Sequence, residues 1–111
     1  MSKVLGLDVG DSKIGVAMSD ALGWIAQGVT TFRRKNMQQD LRYLRKLIHD
    51  NDIKEVVVGL PMKKNGTTDA QTRKILRFAN IFVLVNNMLD AYIIHIRFAY
   101  SLGESPGIGN P

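Results

Sequence analysis

Two apolar runs separated by a three-residue polar segment open the chain and constrain its fold more than any other stretch. Residues 3–9 form the first run, residues 10–12 read Gly-Asp-Ser, and residues 13–19 form the second run. Strands joined by so short a segment of glycine, aspartate and serine are typical of a β-hairpin. The first strand of this predicted hairpin contains a single carboxylate, Asp8.

Asp8 is the strongest functional candidate in the sequence. Its neighbours in the strand are valine and leucine, and a carboxylate buried among such residues is costly unless it is paired or binds a cation. A second interpretation is that Asp8 only accepts hydrogen bonds from the adjacent turn, as aspartate often does. The residues alone leave both interpretations open.

Length and composition narrow the class of protein. A chain of 111 residues is expected to form one small domain with one core. The sequence contains no cysteine, which excludes disulfides and thiolate metal sites. The first apolar run is too short for a signal peptide, and no run reaches the ~18 apolar residues of a membrane span. We therefore expect a cytoplasmic protein without a membrane partner.

The positive charge of the chain is concentrated in its first part. The formal net charge is +5, and residues 1–80 contain 14 of the 15 lysines and arginines but 8 of the 10 acidic residues. A basic surface suits a polyanionic partner such as nucleic acid. Solubility is the alternative explanation, since a modest positive charge needs no partner.

Three more elements are predicted to follow the hairpin and to complete a mixed sheet. Residues 24–32 are rich in β-formers and predict a third strand. Asn36 is a good N-cap for a helix over residues 37–49, whose leucines recur at helical spacing. The run Val-Val-Val at 56–58 predicts a buried strand, and after a helix such a strand runs parallel to its neighbour.

The second half of the chain is less regular. A capping-box pattern beginning at Thr68 predicts a second helix. Residues 81–85 are an apolar run of β-like composition, and residues 88–100 fit neither the helix period nor the strand period. Residues 101–111 are rich in glycine and proline and predict a loose tail.

Short motifs follow one another in order over about residues 3–80. They are Gly-Leu-Asp-Val-Gly at 6–10, Ile-Gly-Val-Ala at 14–17, Ser-Asp at 19–20, Ala-Gln at 26–27, Val-Val-Gly-Leu-Pro at 57–61, Asn-Gly-Thr at 65–67 and Phe-Ala at 78–79. This series resembles the opening of the YqgF/RuvX family, whose members are described as Holliday junction resolvases and as nucleases of pre-16S ribosomal RNA.

The resemblance implies an α/β fold of the ribonuclease H-like type, with helices flanking a five-stranded mixed sheet. It also implies a nuclease that hydrolyses phosphodiester bonds in structured nucleic acid with Mg²⁺ or Mn²⁺, and Asp8 would be a catalytic residue and a metal ligand. In such chemistry carboxylates hold two ions ~3.5–4 Å apart, one activating water and the other stabilising the leaving oxygen. The expected substrates are the 5′ end of pre-16S ribosomal RNA or branched DNA, and the expected state is a monomer or homodimer.

The chain departs from the family pattern after its second helix. The family has an Asp-Glu-Arg-Leu-Thr-Thr strand motif and a later aspartate followed by Ala-Ala, and residues 81–111 contain neither. We therefore expect a nuclease core at 1–80 and a divergent or truncated segment at 81–111, arising from a shifted frame, a truncation or real divergence. One aspartate cannot hold two ions, so weak or absent activity is expected.

Six cations are candidates for contacts with phosphate groups. Solvated surface charge is the alternative explanation for each of them. Lys13 could instead neutralise Asp8. These candidates are Lys13, Arg33, Arg34, Lys35, Lys63 and Lys64.

Three further interpretations of the whole chain remain open. It could be a non-catalytic module of the same fold that binds RNA or DNA through its basic surface. It could bind nucleotide phosphates as in the actin, Hsp70 and sugar-kinase superfamily, although those proteins need two lobes and 111 residues supply one. It could be an incomplete domain that exposes apolar sheet surface.

Overall fold

The computed structural model describes residues 3–19, 27–62, 69–90 and 94–102. These residues form five strands and two helices, and neither helix is long and apolar enough to cross a membrane. The elements are, in chain order, β1 (Val4–Val9), β2 (Lys13–Met18), β3 (Gln27–Arg33), α1 (Met37–Asp50), β4 (Glu55–Met62), α2 (Ala70–Asp90) and β5 (His95–Leu102).

The strands form one mixed sheet in the order β3-β2-β1-β4-β5. β2 pairs antiparallel with both β1 and β3, whereas β4 pairs parallel with both β1 and β5. The predicted hairpin, the third strand and the parallel fourth strand are therefore confirmed. The parallel pairs require crossovers, which α1 and α2 supply.

Local capping signals place the start of both helices. The side-chain oxygen of Asn36 accepts a hydrogen bond from the backbone N–H of Gln39 at 2.8 Å, which confirms Asn36 as the N-cap of α1. At α2 the carboxylate of Asp69 accepts from the backbone N–H of Thr72 at 2.9 Å. The predicted cap Thr68 lies outside the described residues, as do residues 24–26 of the predicted third strand.

The predicted β-like run at 81–85 is wrong, because α2 continues through it to Asp90. Phe78 and Phe82 are both buried and lie four positions apart, with ring centroids 6.2 Å apart. Packing of this helical stripe onto the sheet outweighs the weak preference of β-branched residues for strands. The division predicted at residue 80 thus falls inside a continuous helix, and the predicted tail beyond residue 102 lies outside the described residues.

The core lies on one face of the sheet, and both helices contribute to it. In β1, Leu5, Leu7 and Val9 are buried, while Asp8 between the last two is exposed. Side chains of a strand alternate between faces, so the second face carries the intervening residues. That face has a groove of about 600 Å³ lined largely by small side chains, among them Gly6, Gly15, Ala17, Gly59 and Ala99.

Candidate active site

Asp8 lies near the end of β1, on the sheet face opposite the core. It stands beside Gly15 of β2, and Gly15 stands beside Thr31 of β3. The side chain of Asp8 is exposed, so the expectation that it is buried among its apolar neighbours is wrong. Alternation along β1 sends Leu7 and Val9 into the core and Asp8 to the other side.

A pocket of about 310 Å³ surrounds the Asp8 side chain. It is lined by residues of β1, of the turn and of the next two strands, including Asp11, Ser12, Lys13 and Thr31. Gly15 keeps this pocket open, because a Cβ atom there would lie 3.5 Å from the Cβ of Asp8 and 3.9 Å from the Thr31 hydroxyl. The pocket therefore offers carboxylate and hydroxyl oxygens beside one cationic side chain.

The turn between β1 and β2 is tight and is held by a residue distant in sequence. The Gly10 N–H donates to the carbonyl of Lys13 at 2.9 Å, and a Cβ at Gly10 would lie only 2.9 Å from that same oxygen. Arg34 donates from its backbone N–H to the Ser12 carbonyl at 2.8 Å and from Nη1 to the Gly10 carbonyl at 3.0 Å. Arg34 thus fixes the turn that follows Asp8.

The same Arg34 side chain is tied to both helices. Its Nε donates to Oδ2 of Asp40 at 3.1 Å, and its guanidinium carbon lies 5.0 Å from the ring centroid of Phe78. Asp40 is only 3% exposed, and its other oxygen accepts from the Lys35 N–H at 3.0 Å. Arg34, predicted as a phosphate contact, therefore has its guanidinium engaged in internal contacts.

The other predicted cations fall into two groups. Lys13, Arg33 and Lys35 are exposed, and within the described residues their side chains form no ion pair. Within the described residues Lys13 forms no ion pair with Asp8, although both line the same pocket. Lys63 and Lys64 lie outside the described residues.

Most of the other described acids have partners elsewhere. Asp50 accepts from Lys46 at 2.8 Å and Glu55 accepts from Arg97 at 2.7 Å. Asp11, at the rim of the Asp8 pocket, lies 3.4 Å from the ammonium of Lys74. Among the described residues, no three His, Cys, Asp or Glu side chains are grouped so as to hold a metal ion.

These donors fit one hard cation better than two. Mg²⁺ is commonly held by one or two carboxylates, with water and substrate phosphate completing its shell. Asp8, with Asp11 at the rim, matches that requirement in donor type. A pair of ions bridged by several carboxylates needs more acidic side chains than the described residues bring to this pocket.

Two residues of the site were not predicted from the sequence. Thr31 joins the pocket only through the pairing of β3 with β2. Asp40 holds the turn only through Arg34, six positions away. An acid in the first turn of a helix is a common partner for the helix dipole, so the position of Asp40 in the sequence gave no sign of its second partner.

Comparison with known proteins gives the same family that the motifs resemble. The RuvX family, described as Holliday junction resolvase, matches residues 2–93. The protein named "Putative pre-16S rRNA nuclease" of Clostridium acetobutylicum is 46% identical over 79 residues, covering 71% of this chain and 58% of that protein. The protein of the same name from Moorella thermoacetica is 48% identical over 77 residues, covering 69% of this chain and 55% of that protein. The chain spans little more than half the length of these curated relatives.

Solved structures also match most of the chain. Thermus thermophilus RuvC in complex with a Holliday junction substrate superposes with a TM-score of 0.60 at 14% identity, covering 90% of this chain and 65% of that one. A likeness at this identity concerns the fold alone. It confirms the predicted ribonuclease H-like arrangement of a mixed five-stranded sheet with flanking helices.

Proposed function

Since the chain belongs to the RuvX family, we propose that it is a metal-dependent nuclease that hydrolyses phosphodiester bonds in structured nucleic acid. The observation that carries the proposal is the state of Asp8. Its carboxylate is exposed and, within the part of the chain that the structure describes, forms no hydrogen bond or ion pair. A carboxylate at the end of a central strand without a structural partner is available for a ligand.

Each residue around the pocket has a proposed task. Asp8 would hold Mg²⁺ or Mn²⁺, with Asp11 as a second oxygen donor at the rim. When bound, such an ion stabilises charge on a phosphoryl oxygen. Lys13 would attract the phosphate next to the cleaved bond, because it lines the pocket and has no ion-pair partner among the described residues. Arg34 would keep the turn in place through its bonds to Gly10 and Ser12.

Further cations are proposed to bind the nucleic acid away from the cleaved bond. Arg33 is the last residue of β3, and Lys35 lies two positions after it. Both side chains are exposed. Lys63 and Lys64 are proposed for the same task from the sequence alone. Because Arg34 is engaged internally and its charge is paired with Asp40, its proposed contribution to phosphate binding is indirect, through the turn that it holds.

The names of the relatives suggest the substrate. The proteins of Clostridium acetobutylicum and Moorella thermoacetica are named for pre-16S ribosomal RNA, whereas the family description names the Holliday junction. We propose that this chain acts on one of these two substrates in the cytoplasm, as a monomer or homodimer. We further propose that residues 1–80 form the nuclease core and that residues 81–111 are a divergent or truncated segment.

A non-catalytic nucleic-acid-binding role is the second candidate. It is favoured by one observation: the described residues contain no group of three potential metal ligands, while several cations remain available on the surface. Both candidates predict salt-sensitive binding. Only the first predicts cleavage, and with one carboxylate at the centre that cleavage is expected to be slow.

Replacing Asp8 by the isosteric asparagine separates the two candidates. Purified wild type, Asp8→Asn and the control Asp50→Asn would be incubated with an end-labelled pre-16S fragment and with a four-way DNA junction, in Mg²⁺, in Mn²⁺ and in EDTA. We expect slow cleavage by wild type and by Asp50→Asn, abolished by EDTA and by Asp8→Asn. Nucleic-acid binding should persist in Asp8→Asn.

One outcome contradicts the role of Asp8, and another contradicts the nuclease proposal. Cleavage that survives Asp8→Asn would assign Asp8 another role. Salt-sensitive binding by wild type without any metal-dependent cleavage would favour the non-catalytic candidate.

A further inference from the structure

A second recess lies on the other side of β3 from the Asp8 pocket, between the end of this edge strand and α1. Its volume is about 590 Å³, which is within the range of ligand-binding clefts. We name it the β3–α1 cleft, and the residues that matter for its chemistry are Phe32, Arg33, Lys35, Arg42, Tyr43 and Lys46.

The cleft is positively charged. Arg33, Lys35 and Arg42 are exposed, and in the described part of the chain their side chains have no ion-pair partner. Lys46 donates to Asp50 at 2.8 Å, and that hydrogen bond raises the pKa of Lys46, which therefore stays cationic.

The acid that borders the cleft does not cancel this charge. Asp40 is 3% exposed and is bound by Arg34 and by the Lys35 N–H. Its negative charge is thus balanced from within the protein. A ligand in the cleft meets cations whose charge is available to it.

Two aromatic rings form one wall of the cleft. The ring centroids of Phe32 and Tyr43 lie 4.6 Å apart at an interplanar angle of 58°. Tyr43 keeps 38% of its surface exposed. An exposed aromatic ring among cations is the arrangement by which proteins bind unpaired bases, because the ring stacks on the base while the cations contact the flanking phosphates.

The helical period explains why this wall faces outward. Lys46 follows Tyr43 by three positions and Arg42 by four, so it lies beside both of them on the surface of α1. Leu44 and Ile48 lie on a different stripe and are fully buried. The aliphatic stripe of α1 therefore packs in the core, and Tyr43 lies at the rim of the cleft.

We propose that the β3–α1 cleft binds an unpaired nucleotide of the nucleic-acid substrate, with the base stacked on Tyr43 and phosphates held by Arg33 and Arg42. The inference rests on the proposed function and deepens it, since it names the substrate class: nucleic acid with a single-stranded segment beside the scissile region. Cations alone would bind any polyanion, and the exposed ring gives the preference for bases.

One pair of neighbouring cations links the cleft to the Asp8 pocket. Arg33, which lines the cleft, pairs in register with Lys13 of β2. Lys13 lines the pocket around Asp8. A single strand that follows these two cations passes from the cleft to Asp8, so the cleft would hold the strand while the pocket receives a phosphate.

Binding in EDTA tests the cleft without any contribution from cleavage. Fluorescence anisotropy would compare a 12-nucleotide single strand with a blunt duplex, each as RNA and as DNA, over a range of salt concentrations. The variants are Tyr43→Leu, which removes the ring, Tyr43→Phe, which keeps it, and Arg42→Gln. Arg73→Gln on α2 is the charge-matched control, since Arg73 is exposed and outside the cleft.

Stacking on Tyr43 predicts a selective loss. Tyr43→Leu should weaken single-strand binding about tenfold or more and change duplex binding by less than twofold, whereas Tyr43→Phe should stay close to wild type. Arg42→Gln should reduce the slope of log K against log salt for single strands by about 0.7. Arg73→Gln should leave that slope unchanged.

Several results would overturn the cleft assignment. These are equal losses for single strand and duplex in Tyr43→Leu, no difference between Arg42→Gln and Arg73→Gln, and no preference of wild type for single strands. If circular dichroism shows that Tyr43→Leu is unfolded, photo-cross-linking of a 5-iodouracil strand to wild type decides, with a cross-link at Tyr43 expected and one confined to residues outside the cleft contradicting the proposal. Failure of the nuclease proposal gives a different result, namely no metal-dependent cleavage by wild type while these binding results stand.

Discussion

Two aspartates, Asp8 and Asp40, have opposite environments. Asp40 is 3% exposed and is bound by Arg34 and by the Lys35 N–H. Asp8 is exposed and, among the described residues, has no partner. A buried carboxylate with its partners in place is part of the framework, whereas an exposed one without a partner adds little to stability and remains available for a ligand. Burial therefore identifies Asp40 as structural, whereas the exposed carboxylate of Asp8 is available for the metal-binding role proposed for it.

The largest effect is expected at Asp40. Asp40→Asn keeps the shape of the side chain but removes the charge that pairs with Arg34, and its amide N–H₂ would face the Arg34 donors. Breaking a buried ion pair from one side costs about 3 kcal/mol or more, so we expect a loss of about that size in the free energy of unfolding in urea. Asp50→Asn, at an exposed pair, should lose less than about 0.5 kcal/mol. Equal losses of stability in Asp40→Asn and Asp50→Asn would contradict the structural role assigned to Asp40.

A smaller effect is expected in the turn itself. Gly10→Ala places a Cβ 2.9 Å from the Lys13 carbonyl oxygen, and the backbone must shift to relieve that contact. We expect a loss of about 2 kcal/mol in thermal or urea unfolding.

Gly15→Ala is the matched control for the turn, because its new Cβ would make ordinary contacts at 3.5 Å or more. Stability should change by less than about 0.5 kcal/mol. The added methyl group occupies the space between Asp8 and Thr31, so any metal-dependent cleavage should fall. Unfolding losses of the same size in both glycine variants would contradict this account of the turn.

A still smaller change in stability is expected at Asp8. Because Asp8 has no partner within the described residues, Asp8→Asn should alter the free energy of unfolding in metal-free buffer by less than about 0.5 kcal/mol. Adding Mg²⁺ should raise the melting temperature of wild type more than that of the variant, since binding to the folded state stabilises it. An equal Mg²⁺ response in both would place the ion elsewhere.

The smallest effect is expected at the rim of the pocket. Lys74 lies 3.4 Å from Asp11, and both side chains are more than half exposed. Exposed pairs of this kind contribute little, so Lys74→Gln should leave urea unfolding unchanged within about 0.5 kcal/mol. A clear loss of stability would show that this pair, too, belongs to the framework.

Much of the fold could be predicted because its signals are local. The turn at 10–12, the Asn36 cap and the valines at 56–58 each report on a few neighbouring residues, and the structure agrees with all three. The apolar run at 81–85 was wrongly predicted to be β-like, because its composition favours strands. Its helical state depends on the sheet beneath α2, which no short window of sequence contains.

Much less of the site could be predicted. Asp8 was identified by its place in a motif and by a burial argument, and the structure contradicts the burial argument. Tyr43 could have been identified from the sequence as a candidate for base stacking, because it lies on a predicted helix among cations and off the aliphatic stripe. The bonds of Arg34 to Gly10 and Asp40 could not, since they join segments that only the folded chain brings together.

The sequence by itself determined the order of the strands and helices up to α2, the tight turn after Asp8 and the family to which the chain belongs. The order of the elements and the turn follow from periodicity, capping and turn chemistry, which act between neighbouring residues. The family follows from the series of motifs over residues 3–80. Only the tertiary structure decided that the core lies against one face of the sheet, that Asp8 is on the other, and that Arg34 supports the turn. Those outcomes depend on which face the helices cover, which is settled by packing between distant segments.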